Sequence, residues 1–222
     1  MSDILFAVLT FIFLIVAQFF IYMYITYRKD EDEKKRFFKL KYDRKLILIS
    51  VATLMVSIAV YLYGCYVIGN VLMQSAMNAA VMMWISALAY IDFKEKIIPN
   101  KLIIAGIAFW VLLSLIEIFV AHTSFRSIML YSLLGAGVCG GGLFIVSLIV
   151  KKALGMGDVK MFFVIGLLYC LENTYTILLV SMLIMAIVSV ILLITKKATK
   201  KSAVPMAPFV AVGLLINIIL GV

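Results

Sequence analysis

Apolar residues along this chain come in long runs, at 4–27, 46–68, 71–91, 97–120, 128–150, 159–170, 174–195 and 204–222. Most of them reach the roughly 20 residues that an α-helix needs to cross a hydrocarbon core of about 30 Å. Helices are the required form, because main-chain polar groups without partners are costly in lipid. Alternation at a period of two is missing, which argues against a membrane barrel. The pattern predicts an all-α, polytopic membrane helical bundle of about eight spans, built as one domain over residues 1–222.

Composition agrees with this reading and narrows it. Of the 222 residues, 66% are hydrophobic and 14% charged, and the mean hydropathy is +1.19. A soluble domain carries roughly 45–50% apolar and about 25% charged residues. An ordinary soluble enzyme, a disordered chain and a disulfide scaffold are excluded. The formal net charge of +9 invites nucleic acid as a partner. However, a nucleic-acid binder needs a basic face with polar or aromatic readers, and here the polar residues lie in short connections between apolar runs. The partner implied is membrane lipid, with no nucleic acid.

Placement of the charge sets an orientation. All 20 Lys and Arg residues except Arg126 fall in 28–45, 92–101, 151–160 and 196–201. These are alternate connections if all eight runs cross. The positive-inside bias puts these four in the cytosol and both termini outside. A re-entrant reading of the short run 159–170 would send 196–201 to the other side, so a crossing is expected there too. The first run has no basic residue before it and a basic cluster after it, and reads as a retained anchor rather than a cleaved signal peptide. The largest cytosolic loop, 28–45, reads RKDEDEKKRFFKLKYDRK. It is a short charged loop against anionic headgroups that sets topology, and not a separate domain.

Few residues in this chain are equipped for chemistry. Cys65, Cys139 and Cys170 are scattered inside apolar runs without CxxC spacing, so neither zinc nor a disulfide framework is supported. His122 is the only histidine, which leaves a histidine metal site or a Ser-His triad unsupported. No metal and no cofactor is expected. Acidic residues at the ends of spans stand out instead, because ionisable groups there are costly and often functional. Asp92 lies in YIDFKEKIIPNK, where one run leaves the membrane, and Asp158 lies in GMGDVK, just before the short run. The charge count puts both on the cytosolic side at similar depth. Two carboxyl groups held together share a proton and activate water between them, which is aspartic-protease chemistry. Taken singly, each has a bland reading: Asp92 as the first residue of a hydrated loop, Asp158 as a helix N-cap. Gly155 and Gly157 favour the sharper one, since glycine admits the backbone of a bound chain, which could pair there in extended form.

Three motifs carry a resemblance: Asp92 in DFKEKIIPN, the GMGDVK segment (Gly155, Gly157, Asp158, Lys160), and PMAPF from Pro205 through Pro208 to Phe209. Together and in this order they resemble the bacterial type IV prepilin peptidases, membrane aspartic proteases of the GxGD type. The similarity covers roughly 46–222. It implies that Asp92 and Asp158 are the catalytic pair of a leader peptidase in the cytoplasmic membrane. Such an enzyme cleaves prepilin-like or pseudopilin precursors, whose apolar helix follows a short basic leader. Bifunctional members resemble this chain but carry paired CxxC motifs in a larger N-terminal loop associated with N-methylation. The loop 28–45 has no cysteine, so neither methyl transfer nor zinc is carried over. Where the family usually has a small residue followed by Trp-Leu, this chain reads GLLYC.

Other residues take supporting parts. Asp158 precedes a helix and Asp92 follows one, so the helix dipoles make Asp158 the resting base and Asp92 its protonated partner. Gly135, Gly137, Gly140, Gly141 and Gly142 crowd one span and read as a close-packing surface. Gln74, Asn78, Val81, Ile85, Leu88 and Asp92 form one stripe, expected to face inward. Asn78 stands about 21 Å along the helix from Asp92 and takes no direct part. Pro99 and Pro205 suit the first turn of a helix. Asn100 and Lys160 are candidates for shaping the cleft. Two other functions stay open at this point. A secondary transporter would need acidic residues near the midplane and repeated halves; an inactive subunit of a secretion complex would keep the motifs without cleavage. The sequence carries no signal for the oligomeric state.

Overall fold

The computed structural model describes residues 2–31, 44–120, 124–149, 155–196 and 204–221, and among them every regular element is helical. These elements are α1 (Ser2–Glu31), α2 (Arg44–Tyr63), α3 (Leu72–Glu95), α4 (Asn100–Val120), α5 (Phe125–Gly135), α6 (Gly142–Ile149), α7 (Met156–Ile194) and α8 (Ala207–Leu220). A π-helical turn at Gly64–Ile68 extends α2, and another at Ala136–Gly141 joins α5 to α6. Six stretches are long and apolar enough to cross a membrane: Phe6–Thr26, Arg44–Ile68, Leu72–Glu95, Asn100–Phe119, Phe125–Ile149 and Met156–Ile194. Helix α8 is apolar but shorter. Most of the charged loop 28–45, and His122, lie outside the described residues.

The expected separation of 159–170 from 174–195 reappears as a break within α7. A straight helix of its 39 residues would be about 58 Å long. Cys170, at φ 58° and ψ −167°, interrupts it. The Thr174 hydroxyl donates to the Ile165 carbonyl at 3.4 Å. Residues nine apart in an unbroken helix are separated by about 13 Å along the axis, so the chain must turn at Cys170 for this bond to form.

The chain divides into two compact units, Met1–Ala87 with Gly221 and Leu88–Leu220 with Val222. In the first, the buried Gln18 of α1 donates to Ser50 Oγ (2.8 Å) and Thr53 Oγ1 (3.0 Å) of α2. Side-chain hydrogen bonds of this kind fasten helices where lipid supplies no polar partner. Phe11 meets Tyr61 edge to face at 5.4 Å. Gly64 comes close to Ser75, whose Oγ would stand 2.7 Å from any added Cβ.

Within the second unit, the first half of α7 is its most buried helix, with Met161, Phe162, Val164 and Ile165 all inside. Close approach explains its partners. A Cβ on Gly135 would collide with the Gly166 carbonyl, and one on Gly140 would stand 2.8 Å from Phe163 Cα. Of the five glycines of this segment, Gly135 and Gly140 make close approaches, whereas Gly137, Gly141 and Gly142 have nothing within 4 Å of a built Cβ. Trp110 Nε1 donates to Ser132 Oγ at 3.2 Å and ties α4 to α5. Gly213 lets α8 close on the second half of α7, with the Ile177 carbonyl 3.0 Å from where its Cβ would be. The inward stripe on α3 holds for Asn78, Val81, Ile85, Leu88 and Asp92, all buried, whereas Gln74 is exposed. Gln74 precedes the buried stretch and its amide donates to Asn78 Oδ1 at 3.5 Å instead.

Candidate active site

Asp92 lies in the last turn of α3, which ends where Lys96 turns left-handed (φ 55°). Its side chain is only 5% exposed. A buried carboxyl group needs hydrogen-bond partners, and it finds one at the start of α8: the Ala207 N–H donates to Asp92 Oδ2 at 2.9 Å. The first N–H groups of a helix have no partner inside it and carry its positive end. Asp92 therefore occupies the natural anion position of α8.

Asp158 meets a helix start too, its own. Gly155 is the N-cap of α7, in extended conformation, and Asp158 is the third residue of the helix. Its carboxyl group accepts the Gly155 N–H, which is the reach-back half of a capping box. Both motif glycines have a local reason. A Cβ on Gly155 would stand 2.9 Å from Asp158 Oδ2, and one on Gly157 would stand 2.9 Å from Ile98 Cβ. Gly155 leaves room for the aspartate. Gly157 leaves room for the segment that links Asp92 to α4. Both glycines thus make room for neighbours within the protein.

The charge of Asp92 acts on Asp158, so the two carboxyl groups stand within electrostatic reach of one another. Each also faces a helix N-terminus, Asp92 that of α8 and Asp158 that of α7. Helix ends alone therefore do not distinguish the two carboxyl groups. Lys160 Nζ donates to Asn100 Oδ1 at 2.9 Å, joining the first residue of α4 to α7. Pro99 is buried, and its carbonyl accepts the N–H groups of Leu102 and Ile103. At the other helix start, Met206 rather than Pro205 takes the capping place, its carbonyl accepting from Phe209 and Val210. Pro205 lies ahead of the helix and Pro208 is within its first turn. Among the described residues no three His, Cys, Asp or Glu side chains group as metal ligands, and the three thiols are free.

Sequence reasoning brought Asp92, Asp158, Lys160, Asn100 and Pro99 to one end of the second unit and missed two contributors. Ala207 acts through its main chain, which no side-chain motif announces; the prolines around it were the only signal. Ile98 acts as a wedge, and an isoleucine beside a span looks like any other apolar residue.

No curated protein and no solved structure gives a significant match. A sequence model of the type IV leader peptidase family matches residues 79–190. That stretch contains Asp92, Pro99, Asn100 and the whole of 155–160, and ends before Pro205. With half of the chain matched, and six helices suited to crossing a membrane, this multi-pass membrane protein belongs to the type IV leader peptidase family.

Proposed function

We propose that the protein is an aspartic endopeptidase of the cytoplasmic membrane that removes the leader from prepilin-like or pseudopilin precursors at the cytosolic face. The observation that carries this reading is that Asp92 and Asp158, from separate helices and far-apart segments, lie within electrostatic reach of one another. Like charges so placed do not both ionise cheaply, so the pair holds one proton between them. The ionised member takes a proton from a water molecule as its oxygen attacks the scissile carbonyl carbon. The protonated member gives its proton to the developing oxyanion. When the carbon–nitrogen bond breaks, the proton taken from water passes to the leaving amine, and a hydroxyl proton of the tetrahedral diol returns to the other carboxylate, so the pair again holds one proton. Hydrogen bonds from Ala207 N–H and Gly155 N–H fix the orientation of the two carboxyl groups through this cycle. No cofactor takes part. The substrate's apolar segment and the surrounding lipid are the partners.

Co-expression with a prepilin-like precursor tests the reading. Wild type converts the precursor to the shorter form, whereas Asp92→Ala and Asp158→Ala leave it uncut while inserting into the membrane at wild-type amounts. Cleavage that survives either substitution would remove the dyad from the mechanism.

A further inference from the structure

The link from Asp92 to the start of α4 at Asn100 is short and restrained along its length. The Lys96 N–H donates to the Asp92 carbonyl at 2.8 Å, and Lys96 itself turns left-handed (φ 55°). Ile98 precedes a proline, which disfavours helical conformation there, and its branched Cβ stiffens its side chain. Pro99 is buried, and its ring fixes φ. A connection that only joined two spans across a hydrated surface would need none of these restraints.

The same link holds α7 at two places, one on each side of Asp158 in sequence. Ile98 fills the space that Gly157 leaves, its Cβ and Cγ1 standing 2.9 and 3.3 Å from where a glycine Cβ would be. Asn100 Oδ1 accepts the Lys160 ammonium at 2.9 Å. Gly157 and Lys160 are three apart, so they share one face of α7. Asp158 projects about 100° round the helix from Gly157. Asp92, at the other end of the link, is tied to α8 through the Ala207 N–H.

We infer that Ile98 and the Asn100–Lys160 hydrogen bond are positioning elements that hold the start of α7 against the end of α3 and so set the spacing of Asp158 from Asp92. The inference rests on the peptidase reading and adds to it the residues that keep the dyad in reach. They act through the two helix ends and not on the reacting atoms. A misplacement of about 1 Å at reacting groups can cost about 100-fold in rate, so contacts of this kind have a large effect from outside the chemistry. Ile97, the neighbour of Ile98 in sequence, is 55% exposed and makes a matched control.

Spin labels and cleavage kinetics test it on the whole chain in detergent micelles. Nitroxide labels on Phe93→Cys and Met156→Cys, two exposed positions close in sequence to the aspartates, report the spacing by electron paramagnetic resonance. Cys65→Ala, Cys139→Ala and Cys170→Gly remove the native thiols from that background. Ile98→Ala and Asn100→Ala shift the label distance outward and widen its distribution, whereas Ile97→Ala leaves it as it was. Without labels, Ile98→Ala and Asn100→Ala lower kcat for a prepilin-like precursor by about 10- to 100-fold and change KM by less than about twofold. Asn100→Ala and Lys160→Met break one and the same bond, so the double variant is no slower than the worse single one. Asn100 is exposed, and its alanine variant keeps the test decisive where Ile98→Ala inserts in lower amount. An unchanged label distance in Asn100→Ala, or a loss that falls on KM alone, would overturn the assignment. If wild type cuts no precursor, the peptidase reading fails and the label distances alone decide the positioning role.

Discussion

The main-chain N–H of Ala207 reaches Asp92 Oδ2 at 2.9 Å, across 115 positions of sequence. Helix α8 has 14 residues and is about 21 Å long, short of a core of about 30 Å. Its start brings an unpaired N–H group to a carboxyl group that is itself nearly enclosed. The PMAPF segment thus contributes through its backbone: Met206 caps the helix, Ala207 donates, and Pro208, which has no N–H, adds no competing donor.

Removing that one donor is possible without breaking the helix. Proline is tolerated at the first helical position, where Ala207 stands. Ala207→Pro is expected to keep the helical content and lower the leader-cleavage rate by about 10- to 100-fold, the worth of a hydrogen bond to a charged group at about 1.5–3 kcal/mol. Circular dichroism and a cleavage time course on the same preparation check both halves.

Glycines of the second unit are expected to divide by what they face. Gly166 meets the backbone of α5 and its π-helical turn, so Gly166→Ala forces two main chains apart. Overpacking of this kind costs about 1–3 kcal/mol. Gly137→Ala meets open space and gains up to about 1 kcal/mol from the lower backbone entropy of alanine. Thermal unfolding in detergent ranks Gly137→Ala at or above wild type and Gly166→Ala well below it.

Cys170 holds a backbone conformation that side chains rarely adopt, with φ at 58° and ψ at −167°. Such a residue stores of order 1–3 kcal/mol. Cys170→Gly relieves that strain and is expected to fold at least as stably as wild type. Cys170→Val, with a branched Cβ, is expected to lower the melting temperature by several degrees. A glycine variant less stable than the valine variant would show that the chain does not turn there.

Apolar runs made most of the helices legible, down to the break in α7, because run length acts locally on each helix. The π-helical turn at Ala136–Gly141 was not legible, since it depends on what α7 presents to Gly135 and Gly140. At the site, Asp92 and Asp158 stood out because a carboxyl group at the end of a span is costly. The contacts of Gly155 and Gly157 were not legible, as glycine looks the same whether it makes room for a ligand or for Asp158 and Ile98. Ala207 left no side-chain trace at all.

A double-mutant cycle on purified protein measures directly whether Asp92 and Asp158 work as one unit. Residues that share one proton lose their function together, so their effects do not multiply. Asp92→Asn and Asp158→Asn are each expected to lower the cleavage rate by about 10²–10⁴, and the double variant is expected to be no slower than the worse single one. Single variants that keep more than a tenth of wild-type activity, or losses that multiply in the double variant, would contradict it.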